Sequence, residues 1–172
     1  MQLLMLKGFP GSGKSTLGRA LSRQSHWPLI DKDDVKDMFS EQVPDAGELA
    51  YDVMLNIVRR QLRQGLDVIC DSPLTHLVTY ERTQNMVAET HASLVIVECF
   101  CSDELLWRQR VNARKSYGLP AHHMVDWETM QAYRREHRVE ASFPITHPHL
   151  LMDTARPLDM CVAEVVEWLS AL

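Results

Sequence analysis

Residues Gly8-Phe9-Pro10-Gly11-Ser12-Gly13-Lys14-Ser15 place three glycines, a lysine and a hydroxyl at the spacing G-x-x-x-x-G-K-[ST], which suits a chain of phosphates. Glycines at 8, 11 and 13 open backbone conformations closed to other residues, so successive N–H groups can point inward and form an anion-binding nest. A helix starting at Lys14 would add the positive end of its dipole. Lys14 is placed to reach β- and γ-phosphates, the Ser15 hydroxyl to complete the shell of a Mg²⁺ ion, and Thr16 to support the turn. With Ser12, these residues predict a site for ATP and Mg²⁺.

Such a loop specifies binding alone, so the reaction must be read from residues that face the γ-phosphate. Asp31-Lys32-Asp33-Asp34-Val35-Lys36 follows the short apolar run Pro28-Leu29-Ile30, which places its carboxylates near the strand-end crevice where ligands of open α/β sheets gather. A carboxylate there can take the proton of an attacking hydroxyl; equally, Asp31, Asp33 or Asp34 can cap the next helix without doing chemistry. Asp71 follows a strand over 67–70 and has the same two readings, Mg²⁺ or substrate contact against helix capping. Arg110 and Arg114 stand one helical turn apart and project from one face. They can clamp transferred phosphate or form a solvated basic face. His122-His123 and His147-x-His149 lack carboxylate or thiol companions at ligand spacing, which makes them loop or surface histidines. The tryptophans are not interleaved with a basic run and read as packing residues.

The elements that must position these groups follow from apolar periodicity. Leu3 to Lys7 predicts a strand feeding the glycine-rich turn, and 14–24 a helix leaving it. From Gly47 to Gln64, Leu49, Ala50, Val53, Met54, Ile57, Val58 and Leu62 recur every three or four positions, and Gly65 stands where a C-cap would sit. Leu66 to Cys70 and Leu94 to Phe100 are short β-rich runs of the kind buried on both faces of a parallel sheet. Ser102 is the expected cap of a helix running through Arg114, with Asp103 and Glu104 in its first turn. Lys115 to Trp127 contains Gly118 and Pro120 with no clean period, so the segment 114–127 is expected to form a lid before a helix over 128–139. A last strand, 150–153, precedes a helix starting at Pro157 with the stripe Leu158, Val162, Val165, Val166 and Leu169. Strands alternating with helices imply an α/β fold, a parallel sheet covered on both faces.

At 172 residues the chain is expected to be a single domain that buries about two-thirds of its unfolded surface. No apolar run approaches the ~20 residues of a membrane span, and Leu3 to Leu6 lacks the flanks of a signal peptide, so a cytoplasmic location and no membrane partner are expected. Cys70, Cys99, Cys101 and Cys161 show neither paired C-x-x-C spacing nor the density of a disulfide scaffold and read as buried thiols. A formal charge of −5 gives no general basic footprint for nucleic acid. Oligomeric state has no signal in the sequence.

Together, Gly8 to Thr16, the run Asp33-Asp34-Val35-Lys36, Asp71, and the pair Arg110 and Arg114 resemble the small P-loop kinases similar to the kinase domain of polynucleotide 5′-kinase. That group also includes antibiotic phosphotransferases and zeta-type toxins. The resemblance spans nearly the whole chain and implies a three-layer P-loop fold with five parallel strands in the adenylate-kinase-like order, the P-loop strand central, and a helical lid. It further implies Asp33 as general base and Lys36 in contact with substrate, where the family carries Arg and could make a planar bidentate contact that Lys cannot. Asp71 would face metal or substrate, Arg110 and Arg114 would hold the phosphates, and Asp153 to Pro157 would lie beside the adenine. The expected activity is transfer of the γ-phosphate of ATP to a hydroxyl of a small or nucleoside-type acceptor. The alternatives are a nucleic-acid 5′-hydroxyl kinase and a non-catalytic ATP sensor.

Overall fold

Alternating apolar runs and amphipathic helices close into a parallel sheet in the computed structural model, which describes residues 1–39, 43–44, 46–114, 125–136 and 143–172. The strands are β1 (Gln2–Lys7), β2 (Leu29–Asp31), β3 (Val68–Asp71), β4 (Ser93–Phe100) and β5 (His149–Asp153), in the order β2-β3-β1-β4-β5. All pairings are parallel. Strand β1 is central, as the family resemblance implies, and its neighbours β3 and β4 lie on opposite sides. Connections therefore diverge at its carboxyl end and leave a crevice there.

The helices are α1 (Lys14–Ser25), α2 (Lys32–Asp37), α3 (Ala46–Arg63), α4 (Leu77–Ala88), α5 (Glu104–Ala113), α6 (Trp127–Glu136) and α7 (Leu158–Ser170). Leu3 and Met5 of β1 face a core shared with Met54, Val58 and Leu62 of α3 and with Tyr80 and Met86 of α4. Leu4 and Leu6 face the other layer, with Leu17 and Leu21 of α1 and Val162 and Val165 of α7. A strand buried on both faces has no polar side to show, which is why β1 reads as a continuous apolar run. A third, smaller cluster joins Val111 of α5 to Trp127 and Met130 of α6 and takes in Phe9 and Trp107.

Several boundaries differ from the sequence expectation, for local reasons. Strand β3 extends to Asp71, which pairs with Leu6 on one side and Asp31 on the other, so Asp71 ends the strand rather than following it. Asp103, not Ser102, caps α5 by accepting from the Leu106 N–H at 3.0 Å. Ser102 instead gives its N–H and hydroxyl to Asp153 at the end of β5. Helix α4 shows no clean apolar period in the sequence because Thr79 and Thr83 sit on its buried face. Helix α6 starts one residue early, and its expected end at Val139 lies outside the described residues, as does most of the expected lid. All four cysteines are buried and free, as expected.

Met54 is fully buried between α3 and the sheet. Met54→Ala is expected to cost about 2–5 kcal/mol through lost burial and the cavity left behind. Chemical denaturation should show a lower midpoint at unchanged slope, and an unchanged midpoint would contradict this packing.

Candidate active site

The loop between β1 and α1 is built by contacts from distant parts of the chain. Gly8 N–H donates to Pro73 O at 3.1 Å, Ser12 N–H to Phe9 O at 3.1 Å, and Leu17 N–H to Gly13 O at 3.0 Å. Gly13 has a left-handed φ of 90°, and a Cβ there would lie 2.8 Å from Thr154. Both the backbone conformation and the close approach require glycine. The Thr154 hydroxyl donates to Ser12 O at 2.8 Å, fastening the loop to the segment after β5. Lys14, at the first turn of α1, donates its ammonium to Phe9 O at 3.1 Å and is almost fully buried.

Beside this loop lies a cleft of about 740 Å³ lined by Gly11, Gly13, Lys14, Ser15, Thr16, Asp31, Lys32, Asp33, Lys36, Asp71, Arg110, Arg114, Thr154 and Arg156, among others. Lys14, Asp31, Asp33, Lys36, Asp71, Arg110 and Arg114, singled out from sequence, are brought together here, whereas Asp34 and Asp153 do not line the cleft. Of the loop residues, Gly8, Phe9 and Ser12 do not line it: Gly8 is spent on the Pro73 bond, Phe9 packs against Trp107, and Ser12 is buried.

Asp31 and Asp71 stand opposite each other at the ends of neighbouring strands. Burial, followed by the negative charge of Asp71, pushes the Asp31 carboxyl up to about 7, against the opposing hydrogen bond from the Asp33 N–H. That bond, 2.8 Å to Oδ1 of Asp31, makes Asp31 the N-cap of α2. Of the three aspartates that could cap, Asp31 takes the task, and Asp33 projects from the first turn of the helix. There Lys32 reaches Asp33 Oδ1 at 2.7 Å, and Arg114 comes from α5 to within 3.9 Å of Oδ2. Lys32 is the more buried partner, its side chain only 8 % exposed, and it also lies 5.7 Å from the Tyr51 ring centroid.

The two arginines part company. Arg110 lays its guanidinium across Thr154, Nη1 to the hydroxyl and Nη2 to the carbonyl, each at 3.0 Å, while Arg114 turns to Asp33. Both nevertheless line the cleft. Sequence reasoning missed Lys32, and it reached Thr154 only as part of the run Asp153 to Pro157. Lys32 carried a usable signal, a lysine enclosed by aspartates, whereas nothing in a lone threonine after a strand marks its bonds to the loop and to Arg110.

A hard divalent cation such as Mg²⁺ prefers oxygen ligands and keeps several waters. The cleft fits it: Asp71 Oδ2 is buried without a hydrogen-bond partner, and Ser15 and Asp31 line the same space. These three are oxygen donors, among the described residues lining the cleft, that could hold such an ion directly or through water.

Comparison with known proteins agrees with this fold. A family model described as an AAA domain matches residues 3–139. Shikimate kinase from Bacillus cereus strain AH187 is 33% identical over 60 residues, which cover 30% of this chain and 34% of that protein. The match therefore spans about a third of that relative. A crystal structure of a putative kinase from Chloroflexus aurantiacus J-10-fl superposes with a TM-score of 0.74 at 24% identity, over 99% of this chain and 96% of that one. A gluconokinase from Sinorhizobium meliloti 1021 gives 0.62 at 18% identity, over 98% and 95%. These solved structures share the fold. The narrower likeness to polynucleotide 5′-kinase is not part of what the comparisons show. The chain belongs to the AAA-domain family.

The Asp31 carboxyl gives the folded protein a distinct pH dependence. An unfolded Asp titrates near ~3.9, so between about pH 4 and about pH 7 the folded chain holds a proton that the unfolded chain has released. Stability is expected to fall as pH rises through that window. Asp31→Asn keeps a capping side chain and removes the charge. It should therefore stabilise the ligand-free protein at pH 8, by up to about 4 kcal/mol, and have little effect at pH 4. Denaturation at both pH values checks this, and equal effects at the two would contradict it.

Proposed function

We propose that this chain is a kinase that transfers the γ-phosphate of ATP to a hydroxyl group of a small, negatively charged acceptor. The observation that carries the reading is the cleft itself. A phosphate-binding loop and a carboxylate held by two cations, Asp33 with Lys32 and Arg114, line one space. Its volume of about 740 Å³ is that of a small-molecule site. The kinase names of relatives such as shikimate kinase and gluconokinase support the same reaction class.

In this mechanism the β- and γ-phosphates rest on the backbone N–H groups of Gly11 to Thr16 and against Lys14, whose ammonium leaves Phe9 O to meet them. The adenine end lies toward Arg110, Thr154 and Arg156. Ser15 and Asp71 would hold a Mg²⁺ ion, directly or through water, and the ion would supply neutralisation of the phosphate charge. Asp33 takes the proton of the acceptor hydroxyl as the new bond forms to the γ-phosphorus and the bond to the β–γ bridging oxygen breaks, releasing ADP. Lys32 fixes the carboxylate, so its orientation is set before the acceptor arrives. Arg114, beside Asp33, stabilises charge spreading over the transferred group.

The acceptor end carries Lys32, Lys36 and Arg114 against Asp33. A hydroxyl compound bearing a carboxylate or phosphate would meet Lys36 while its hydroxyl meets Asp33. With a net charge of −5, attraction for a long polyanion is weak, so a small acceptor is favoured over a nucleic-acid 5′ end.

Turnover of ATP with Mg²⁺ should be measured against hydroxy acids, sugar acids, nucleosides, antibiotics and short 5′-hydroxyl oligonucleotides. Acceptor-dependent ADP release by the wild type is expected, with Asp33→Ala lowering it by about 10²-fold or more and leaving Mg·ATP affinity within a few fold. Transfer to the oligonucleotides alone would replace the small-molecule reading with a nucleic-acid kinase. Tight ATP binding without transfer to anything would turn the reading toward a sensor.

A further inference from the structure

The crest of the phosphate-binding loop, Phe9 to Gly11, is held by side chains that do not belong to the cleft. Trp107 of α5 donates its indole Nε1–H to Pro10 O at 2.9 Å. Its ring stands 6.4 Å from that of Phe9 and packs edge-on, at 5.2 Å and 85°, against Trp127 of α6. The guanidinium of Arg134, also on α6, lies over both rings, 4.8 Å from the Phe9 centroid and 5.3 Å from that of Trp107. Gly11 presses on the same surface: a Cβ there would come within 2.6 Å of Val111. Trp107 and Arg134 line a separate groove of about 570 Å³ and are absent from the cleft lining.

This arrangement matters because the crest has few other anchors. Pro10 has no N–H to give, so its carbonyl is the handle by which the peptide can be fixed. Phe9 O, one peptide earlier, receives both the Ser12 N–H and the Lys14 ammonium. Rotation of the Phe9-Pro10 segment would therefore shift the lysine together with the N–H groups of Gly11 to Gly13. A donor on Pro10 O and a cation over Phe9 hold that segment from behind, in the way supporting contacts hold a preorganised site.

We propose that Trp107 and Arg134 are positioning residues that set the crest of the phosphate-binding loop, and with it the affinity for the β- and γ-phosphates. The inference rests on the nucleotide-binding part of the reading above and is independent of the acceptor. Its signature is selectivity by phosphate number: the crest serves the outer phosphates, whereas an adenosine monophosphate depends on the Thr154 end of the cleft and the first turn of α1.

The test compares dissociation constants for Mg·ATP and for AMP in the wild type, Trp107→Phe, Arg134→Met, Arg134→Lys and the double variant Trp107→Phe/Arg134→Met. Trp107→Phe keeps a ring and loses the donor. It is expected to weaken Mg·ATP about three- to tenfold, the scale of one lost hydrogen bond, with AMP within twofold of wild type. Arg134→Met should act in the same direction and Arg134→Lys should recover most of the loss. The double variant should show less than the product of the single effects, since both act on one segment. Mg·ATP affinity within twofold of wild type in Trp107→Phe, or AMP weakened in step with ATP, would overturn the proposal. A wild type that binds no Mg·ATP would sink the nucleotide reading and this inference with it, whereas a wild type that binds alongside unaffected variants would sink the inference alone.

Discussion

The glycine-rich turn over residues 8–15 leaves main-chain groups that it cannot pair internally, and the structure around it is organised to hold them. Strand β1 delivers the loop from the centre of the sheet, with Leu3, Leu4, Met5 and Leu6 fully buried, so its position cannot drift without disturbing both layers of the core. Three more segments then reach in from elsewhere in the chain: Pro73 accepts from Gly8, Trp107 donates to Pro10, and Thr154 donates to Ser12. Each satisfies a main-chain group that the loop cannot satisfy internally, leaving the remaining N–H groups for an anion. The fold thus converts a glycine-rich turn, flexible by composition, into a fixed cradle.

The same crevice concentrates charges that a stability-optimised protein would separate. Asp31 and Asp71 are brought side by side by strand register, and burial with the neighbouring charge raises the Asp31 carboxyl to about 7. Lys14 and Lys32 are both nearly buried. Such conflicts are the expected mark of a functional site, where local stability is traded for a poised arrangement. An ATP–Mg²⁺ complex would relieve them together: its cation answers the aspartates and its phosphates answer Lys14.

Much of this was legible in the sequence because it is written in local patterns. The glycine spacing of 8–13, the apolar run of β1 and the period of α3 each follow from a single segment, and so does the alternation that implies a parallel sheet. What escaped depends on pairing between distant segments. Arg110 and Arg114 share a helix face, which sequence shows, but Thr154 captures one and Asp33 the other, which only the fold decides. Asp103 displaces Ser102 as the cap because Ser102 is drawn to Asp153 on a different strand. Helix α4 hides its apolar face behind the inward threonines Thr79 and Thr83, and the Thr83 hydroxyl bonds back to Thr79 O at 2.9 Å. The pairing around Asp33 is the least legible part, since Lys32 comes from the same helix and Arg114 from the distant end of α5.

The central claim is that the crevice seats a nucleoside triphosphate with its terminal phosphate toward Asp33. A crystal structure with Mg²⁺ and a non-hydrolysable ATP analogue tests it most directly. The account predicts β- and γ-phosphates on the N–H groups of Gly11 to Ser15, Lys14 swung from Phe9 O to the phosphates, and the γ-phosphorus facing the Asp33 carboxylate. Phosphates bound away from the loop, or a γ-phosphate directed away from Asp33 with Lys14 still on Phe9 O, would contradict it.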